Sequence, residues 1–238
     1  MKAKFYLFIL SILFWSQTVF AQIQLPKPIN YQIRFSPLAL IDPGSPVIQL
    51  GGQMLMNDHI GFSLEGGHRY SQIADKLYNR ESPVFQRHRY GKIRIEFKYL
   101  FKLKRNWFGI GPYGRNYLGL ESFIIPMSYR NLKDYIYLDN KPYRYEYSDI
   151  KKNILGWCLK SGREVPMGNH LILDNFLGIR VRRVKIDHKP IGLIEEALYE
   201  EKDFGFGLSS DREEGIFYRL HLAWGFKIGY IIKQIESQ

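Results

Sequence analysis

In the stretch "HRYS", His68 and Ser71 lie close enough in sequence to raise the question of a nucleophile and its base. A serine hydroxyl becomes nucleophilic only when a base is within hydrogen-bond reach and a third group orients that base. Alternation places His68 on the same face as Phe62 and Leu64, whereas Ser71 begins a loop, so the two side chains are not expected to meet. His88 and His188 carry no accompanying motif, and the single cysteine, Cys158, has no partner for an internal disulfide. No EF-hand or other metal-ligand spacing occurs. The expectation is a protein that is not an enzyme, with no catalytic residues, no metal and no cofactor.

Charge offers the second possible chemistry. In "IFYRLHLAWGFKIGYII" the even positions Ile216, Tyr218, Leu220, Leu222, Trp224, Phe226, Ile228, Tyr230 and Ile232 are large and apolar. The odd positions include Arg219, His221, Gly225, Lys227 and Gly229. Arg94, Glu96 and Lys98 alternate in the same way with Ile93, Ile95, Phe97 and Tyr99. A period of two is the signature of a strand with one apolar and one polar face.

Eight segments have this pattern: Asn30 to Ile41, Val47 to Met56, Ile60 to Tyr70, Tyr90 to Phe101, Trp107 to Leu118, Ile150 to Val165, Leu171 to Ile186 and Ile216 to Ile232. Pro112 makes a bulge or bend in the fifth an expectation, because proline removes a ladder donor. The connections "NDH", "KLKRN" and "PMGNH" are short, whereas 71–89, 119–149 and 187–215 are long. Short turns at one end and long loops at the other are the pattern of an outer-membrane barrel, with turns in the periplasm and loops outside the cell.

A soluble lipocalin-type barrel alternates equally well, with its apolar face inside, so volume and energy must decide the orientation. Eight strands enclose a space just wide enough for side chains to fill. The apolar set is crowded with large residues, while the polar set is interspersed with Gly61, Gly67, Gly156, Gly178, Gly225 and Gly229 and fits the narrower space. Reversing the last strand would put Arg219 and Lys227 into hydrocarbon at about 2–4 kcal/mol each near the midplane. Tyr31, Tyr99, Phe101, Trp107, Phe108 and Tyr230 gather near the turn end, where an aromatic belt is expected.

The amino terminus, "MKAKFYLFILSILFWSQTVFAQ", carries Lys2 and Lys4, an apolar run from Phe5 to Trp15, and Val19 and Ala21 at signal-peptidase spacing. We expect a signal peptide over 1–21 and one barrel domain over 22–238. A single membrane anchor is the alternative, but a spanning helix takes about 20 apolar residues. The formal net charge is +11. Export removes nucleic acid as the counter-charge and leaves anionic lipid.

The whole mature chain resembles the OmpA/OmpX-like family of small eight-stranded outer-membrane barrels. Its last strand resembles their carboxy-terminal assembly signal: in "GFKIGY", Gly225 is followed at the expected spacing by Ile228 and Tyr230. It departs from the pattern in having Ile228 where an aromatic is common and eight residues after Tyr230. The resemblance implies an all-β, antiparallel up-and-down transmembrane barrel in the cell outer membrane, and it fixes no catalytic residue.

The inward-facing candidates are Arg34, Glu65, Arg69, Arg94, Glu96, Lys98, Lys160, Asp174, Arg180, Arg182, Arg219 and Lys227. Buried charges persist when paired, so Glu65, Glu96 and Asp174 should each contact bases. A closed structural network is the first expectation, and a narrow path for small anionic solutes the second. Basic residues gather toward the loop end, among them Arg80, Arg87, Arg89, Arg183 and Lys185, where guanidinium groups could grip lipopolysaccharide phosphates or simply be solvated.

"DYIYLDNKPYRYEY" reads as a hairpin about "DNKP", its tyrosines available for adhesion or for packing the loop. Loop 187–215 has nine acidic and three basic residues, and "IGLIEEALYEEK" suggests a short amphipathic helix. The functional expectation is an envelope-structural or surface-interaction barrel meeting outer-membrane lipid, lipopolysaccharide or a protein partner through its three long loops. A lipid-modifying enzyme is the third possibility.

Overall fold

The computed structural model describes residues 30–42, 45–56, 59–70, 85–101, 114–138, 141–195 and 212–234. The expected signal segment lies outside them. In chain order the strands are β1 (Asn30–Phe35), β2 (Val47–Leu55), β3 (Ile60–Arg69), β4 (Phe85–Phe101), β5 (Arg115–Leu132) and β6 (Tyr135–Leu138). They continue with β7 (Lys141–Arg144), β8 (Tyr147–Met167), β9 (Leu171–Ile191), β10 (Ile194–Glu195) and β11 (Gly215–Gln234).

Eight of these close into a barrel in the order β1-β11-β9-β8-β5-β4-β3-β2, every pair antiparallel. The fold is therefore all-β, with each barrel strand beside its neighbours in the sequence. A second, three-stranded sheet of β10, β7 and β6 carries the expected tyrosine hairpin, with Leu138 opposite Lys141.

Several boundaries differ from the sequence reading. The fifth barrel strand, Arg115–Leu132, runs on past its expected end at Leu118, so much of the expected loop 119–149 is strand, while 107–113 of the expected strand lies outside the described residues. Pro126 is tolerated because the β4–β5 pairing passes from Tyr90–Met127 to Ile93–Ile124 with no partner for it, while Pro112 and its expected bulge lie outside the described residues. The expected turn "KLKRN" between β4 and β5 lies outside the described residues. The first strand stops at Phe35 and the chain turns into a short 3₁₀ helix, Pro37–Ile41, where Pro37 occupies the start of the helix. Of the helix expected over 191–202, Ile191 ends β9 and Ile194–Glu195 form β10, while 196–202 lies outside the described residues.

The two faces of the wall follow the expected parity. On β4, Ile93, Ile95, Phe97 and Tyr99 are exposed on the outside while Lys92, Arg94, Glu96 and Lys98 are buried inside. On β11, Tyr218, Leu220, Leu222 and Trp224 point out, and Gly225, Lys227 and Gly229 point in.

One feature of the faces was not anticipated. Toward the loop end the pattern inverts: outside, Leu177, Ile179 and Val181 of β9 give way to Arg183 and Lys185, and Trp157 of β8 gives way to Asn153 and Lys151. Inside, at the same height, charge gives way to a cluster of Ile125, Met127, Ile150, Ile154, Val184 and Ile186. Beyond that level the long strands have an apolar interior and a polar exterior, the usual arrangement of a globular protein.

Loop-end contacts continue this arrangement. Ile136 and Tyr145 are buried, and the Asn131 side-chain amide donates to the Tyr145 hydroxyl at 3.0 Å. Burial, with Asp134 adding to it, pushes the Tyr145 phenol above its ordinary pKa. Lys141 meets Glu195 at 2.9 Å and Arg212 meets Asp134 at 3.2 Å, tying the hairpin to the acidic connection.

Inward glycines make room for interior rings. A Cβ on Gly156 would lie 2.1 Å from Phe123 Cζ, whereas one on Gly66, which faces outward, would meet nothing within 4 Å. Gly156→Ala should therefore lower barrel stability by about 1–3 kcal/mol through overpacking. Gly66→Ala should leave the thermal unfolding midpoint close to that of the parent protein, and melting of the two variants beside the parent measures the contrast.

Candidate functional site

The interior holds two interlocked layers of charge. Nearest the turn Gly168–His170, Arg34 of β1 donates to Asp174 of β9 and Glu164 of β8, each at 2.5 Å. Lys98 of β4 donates to the same two carboxylates, at 2.5 Å to Asp174 and 3.0 Å to Glu164. The Tyr117 hydroxyl donates to Asp174 at 2.7 Å and the Gln53 amide to Glu164 at 3.1 Å. The Lys98 ammonium also lies 4.0 Å from the centre of the Tyr117 ring.

The second layer is a chain of shared contacts. Lys227 of β11 joins Glu65 of β3 to Glu96 of β4, with 2.8 Å to Glu96. Lys160 of β8 joins Glu96, at 3.2 Å, to Glu121 of β5. Ser36 and Gln49 donate to Glu65. Fully desolvated charges are costly unless paired and hydrogen-bonded, and here each carboxylate is shared between bases or between a base and a neutral donor.

Among the expected lumen residues, Arg34, Glu65, Arg94, Glu96, Lys98, Lys160, Asp174, Arg180 and Lys227 are all buried. Arg69 and Arg219 face inward nearer the loop end and are less buried. Glu121, Glu164 and Tyr117 were missed. Glu121 fell in what had been read as a loop, whereas Glu164 has the parity of Lys160 and was recoverable by counting in twos.

The lumen above these layers is basic. Arg180 reaches Glu121 at 3.4 Å and Arg94 lies 4.0 Å from the same carboxylate, which Lys160 already holds. Arg182 stands directly across from Arg219, and Arg180 from His221. The Arg182–Arg219 pair sets like charges opposite one another on a sheet face, where they repel.

On the outer surface, Arg89, Arg183 and Lys185 point away from the barrel, Lys185 being 3.1 Å from Asp187. Arg80 lies outside the described residues, and Arg87 belongs to β4 with its side chain outside them. Arg89 borders an outward groove of about 430 Å³ with His68, Ser128, Lys151 and Asn153. Lys151 and Asn153 were not anticipated, because they fall inside the strand expected over Ile150 to Val165 rather than at its rim.

His68 is exposed on the outer face, and Ser71 lies outside the described residues. A different serine and histidine do meet: Ser148 Oγ is 3.3 Å from His188 Nδ1. The nearby Glu214 carboxylate accepts from the His188 backbone N–H at 2.6 Å rather than from the ring, and Ser148 has no exposed surface. The contact joins β8 to β9 at the loop end, between strands that already run side by side there.

No protein-family model matches the chain, and no curated protein matches it.

Replacing one shared carboxylate isolates the functional weight of the network. Glu96→Gln would leave Lys160 and Lys227 with one charged partner fewer each, and should destabilise the barrel by about 3–5 kcal/mol. Lys185→Gln, on the exposed outer face, should change stability by less than about 1 kcal/mol. Chemical unfolding of both variants checks the difference.

Proposed function

We propose that this chain is an exported, non-enzymatic outer-membrane β-barrel that serves the structure of the cell envelope or presents its long loops to lipopolysaccharide, surfaces or a protein partner. The observation that carries this reading is the outward apolar face and the level at which it stops. Along β9 it runs from Leu171 to Val181, and along the paired stretch of β8 from Met167 to Trp157, interrupted by Ser161, Arg163 and Asn175. Eleven residues per strand match the 9–11 that a tilted strand needs to cross a bilayer. Tyr31, Tyr99 and Tyr230 stand exposed at its turn end, with His59 and His170 stacked on the last two, as suits an interfacial belt.

Two further features favour a closed rather than a conducting barrel. The ion-pair layers fill the cross-section near the turn end, and the apolar cluster fills it at the loop end. Arg89, Lys151, Arg183 and Lys185 ring the outside just beyond the apolar belt, at the height of lipid phosphates, where bidentate guanidinium contacts are strongest.

Membrane fractionation with heat-modifiable gel mobility tests the location, and planar-bilayer recording tests closure. The protein should sediment with outer membranes, shift mobility on boiling and give no steady conductance. Added lipopolysaccharide should raise its melting temperature, with a smaller gain in an Arg183→Gln/Lys185→Gln variant. Recovery as a soluble periplasmic protein would refute the reading, and steady conductance would replace it with anion transport.

A further inference from the structure

The barrel wall is incomplete on one flank. β11 pairs with β9 from Gly215 to Tyr230, but β1 pairs with it only from Ile228 to Gln234. Among the described residues, the β1-facing edge of β11 from Gly215 to Lys227 therefore has no strand beside it. The 3₁₀ helix Pro37–Ile41 lies opposite this edge, and a cavity of about 450 Å³ runs between the two. The outward side chains here are the most exposed on the barrel, with Tyr218, Leu220, Leu222 and Trp224 at 70–78%.

The cavity has two kinds of wall. Leu38, Ile41, Leu222 and Trp224 line its outer part. Arg94, Arg180, Arg182 and His221 line its inner part. Arg94 and Arg180 are more than nine-tenths buried. The Nε atoms of Arg94, Arg180 and Arg182, and Nε2 of His221, are buried without a hydrogen-bond partner among the described residues. The cross-strand pair Arg182–Arg219 sets like charges face to face at this level, and His221 lies opposite Arg180. Glu121 is shared with Lys160, and Asp42 at the cavity's edge lies 3.0 Å from Lys92.

Buried, mutually repelling cations with donors to spare are the chemistry of an oxyanion site. On β9, Arg180 and Arg182 lie three residues and one residue before Arg183, where the outer apolar belt ends.

We propose that this lateral slot binds an amphiphile with an anionic head group. Its phosphate or carboxylate oxygens sit on Arg94, Arg180 and Arg182, and its aliphatic chain leaves between the 3₁₀ helix and β11 past Leu222 and Trp224. The head group supplies the missing acceptor and relieves the repulsion. The chain covers the apolar part of the open flank and stays in hydrocarbon. The site rests on the membrane reading for its source of ligand, but not for its chemistry.

The test uses the full mature chain, folded in a non-ionic detergent, with Trp107→Phe and Trp157→Phe so that Trp224 alone reports. Dodecyl phosphate brominated on its chain should quench Trp224 saturably. Unbrominated dodecyl phosphate should displace it, whereas equal inorganic phosphate or dodecyltrimethylammonium should not. Arg180→Gln/Arg182→Gln should weaken binding by about tenfold or more, as expected for losing charged hydrogen bonds. Ala39→Phe, which fills the slot without touching a charge or adding a second reporter, should abolish quenching while preserving heat-modifiable mobility.

Unchanged affinity in both variants, or equal binding of the cationic amphiphile, would overturn the proposal, since either means adhesion to the greasy exterior. Displacement by inorganic phosphate at equal concentration would also overturn it, in favour of a small-anion site. Cell fractionation judges the membrane reading independently, because the quenching measurement works on the folded protein whatever its location.

Discussion

Charge buried inside a ring of eight strands must be neutralised within the ring, and that requirement ties this molecule together. Asp174 on β9 is met by Arg34 from β1, Lys98 from β4 and the Tyr117 hydroxyl from β5. Glu164 on β8 shares the first two of these partners. Side chains far apart in sequence therefore converge only if every strand is in its observed register. A slip by one residue would turn each of these groups to the outside and each apolar neighbour to the inside. The network is thus less a source of net stability than a selector of one arrangement, since buried ion pairs offset much of their own desolvation cost.

The outer face follows from the inner one. With the polar set committed to the interior, period-two alternation leaves Ile93, Ile95, Phe97 and Tyr99, and their counterparts on the other strands, on the outside. Where β5, β8 and β9 extend farther, the inversion from Val181 to Arg183 outside and from Arg182 to Val184 inside marks a change of surroundings along a single strand. The short β1 breaks the symmetry, because ending at Phe35 leaves the upper edge of β11 without a strand among the described residues, beside the interior base cluster.

Much of this was legible in the sequence because the information is local. Parity along β4 and β11 assigned the faces, and the glycines among the charged positions marked the side with less room. The hairpin around "DNKP" followed from its turn residues. What escaped was nonlocal or depended on where a strand ends. Glu121 hid in a supposed loop because the fifth strand was expected to end at Leu118, whereas β5 runs to Leu132. The Ser148–His188 contact joins two strands across a register that no single segment specifies. The apolar interior at the loop end broke the assumption that one face keeps one character along its whole length.

The central claim is that the apolar side of the wall faces hydrocarbon and the charged side faces a packed interior. Nitroxide labels at single cysteines introduced in turn from Tyr218 to Phe226, with Cys158 replaced by serine, test it most directly in lipid vesicles. Collision rates with oxygen, which concentrates in hydrocarbon, should rise at even positions and fall at odd ones, while a water-soluble relaxant reaches neither well near Leu222. Absence of a two-residue period, or strong access of the water-soluble relaxant at Leu220, Leu222 and Trp224, would contradict the account.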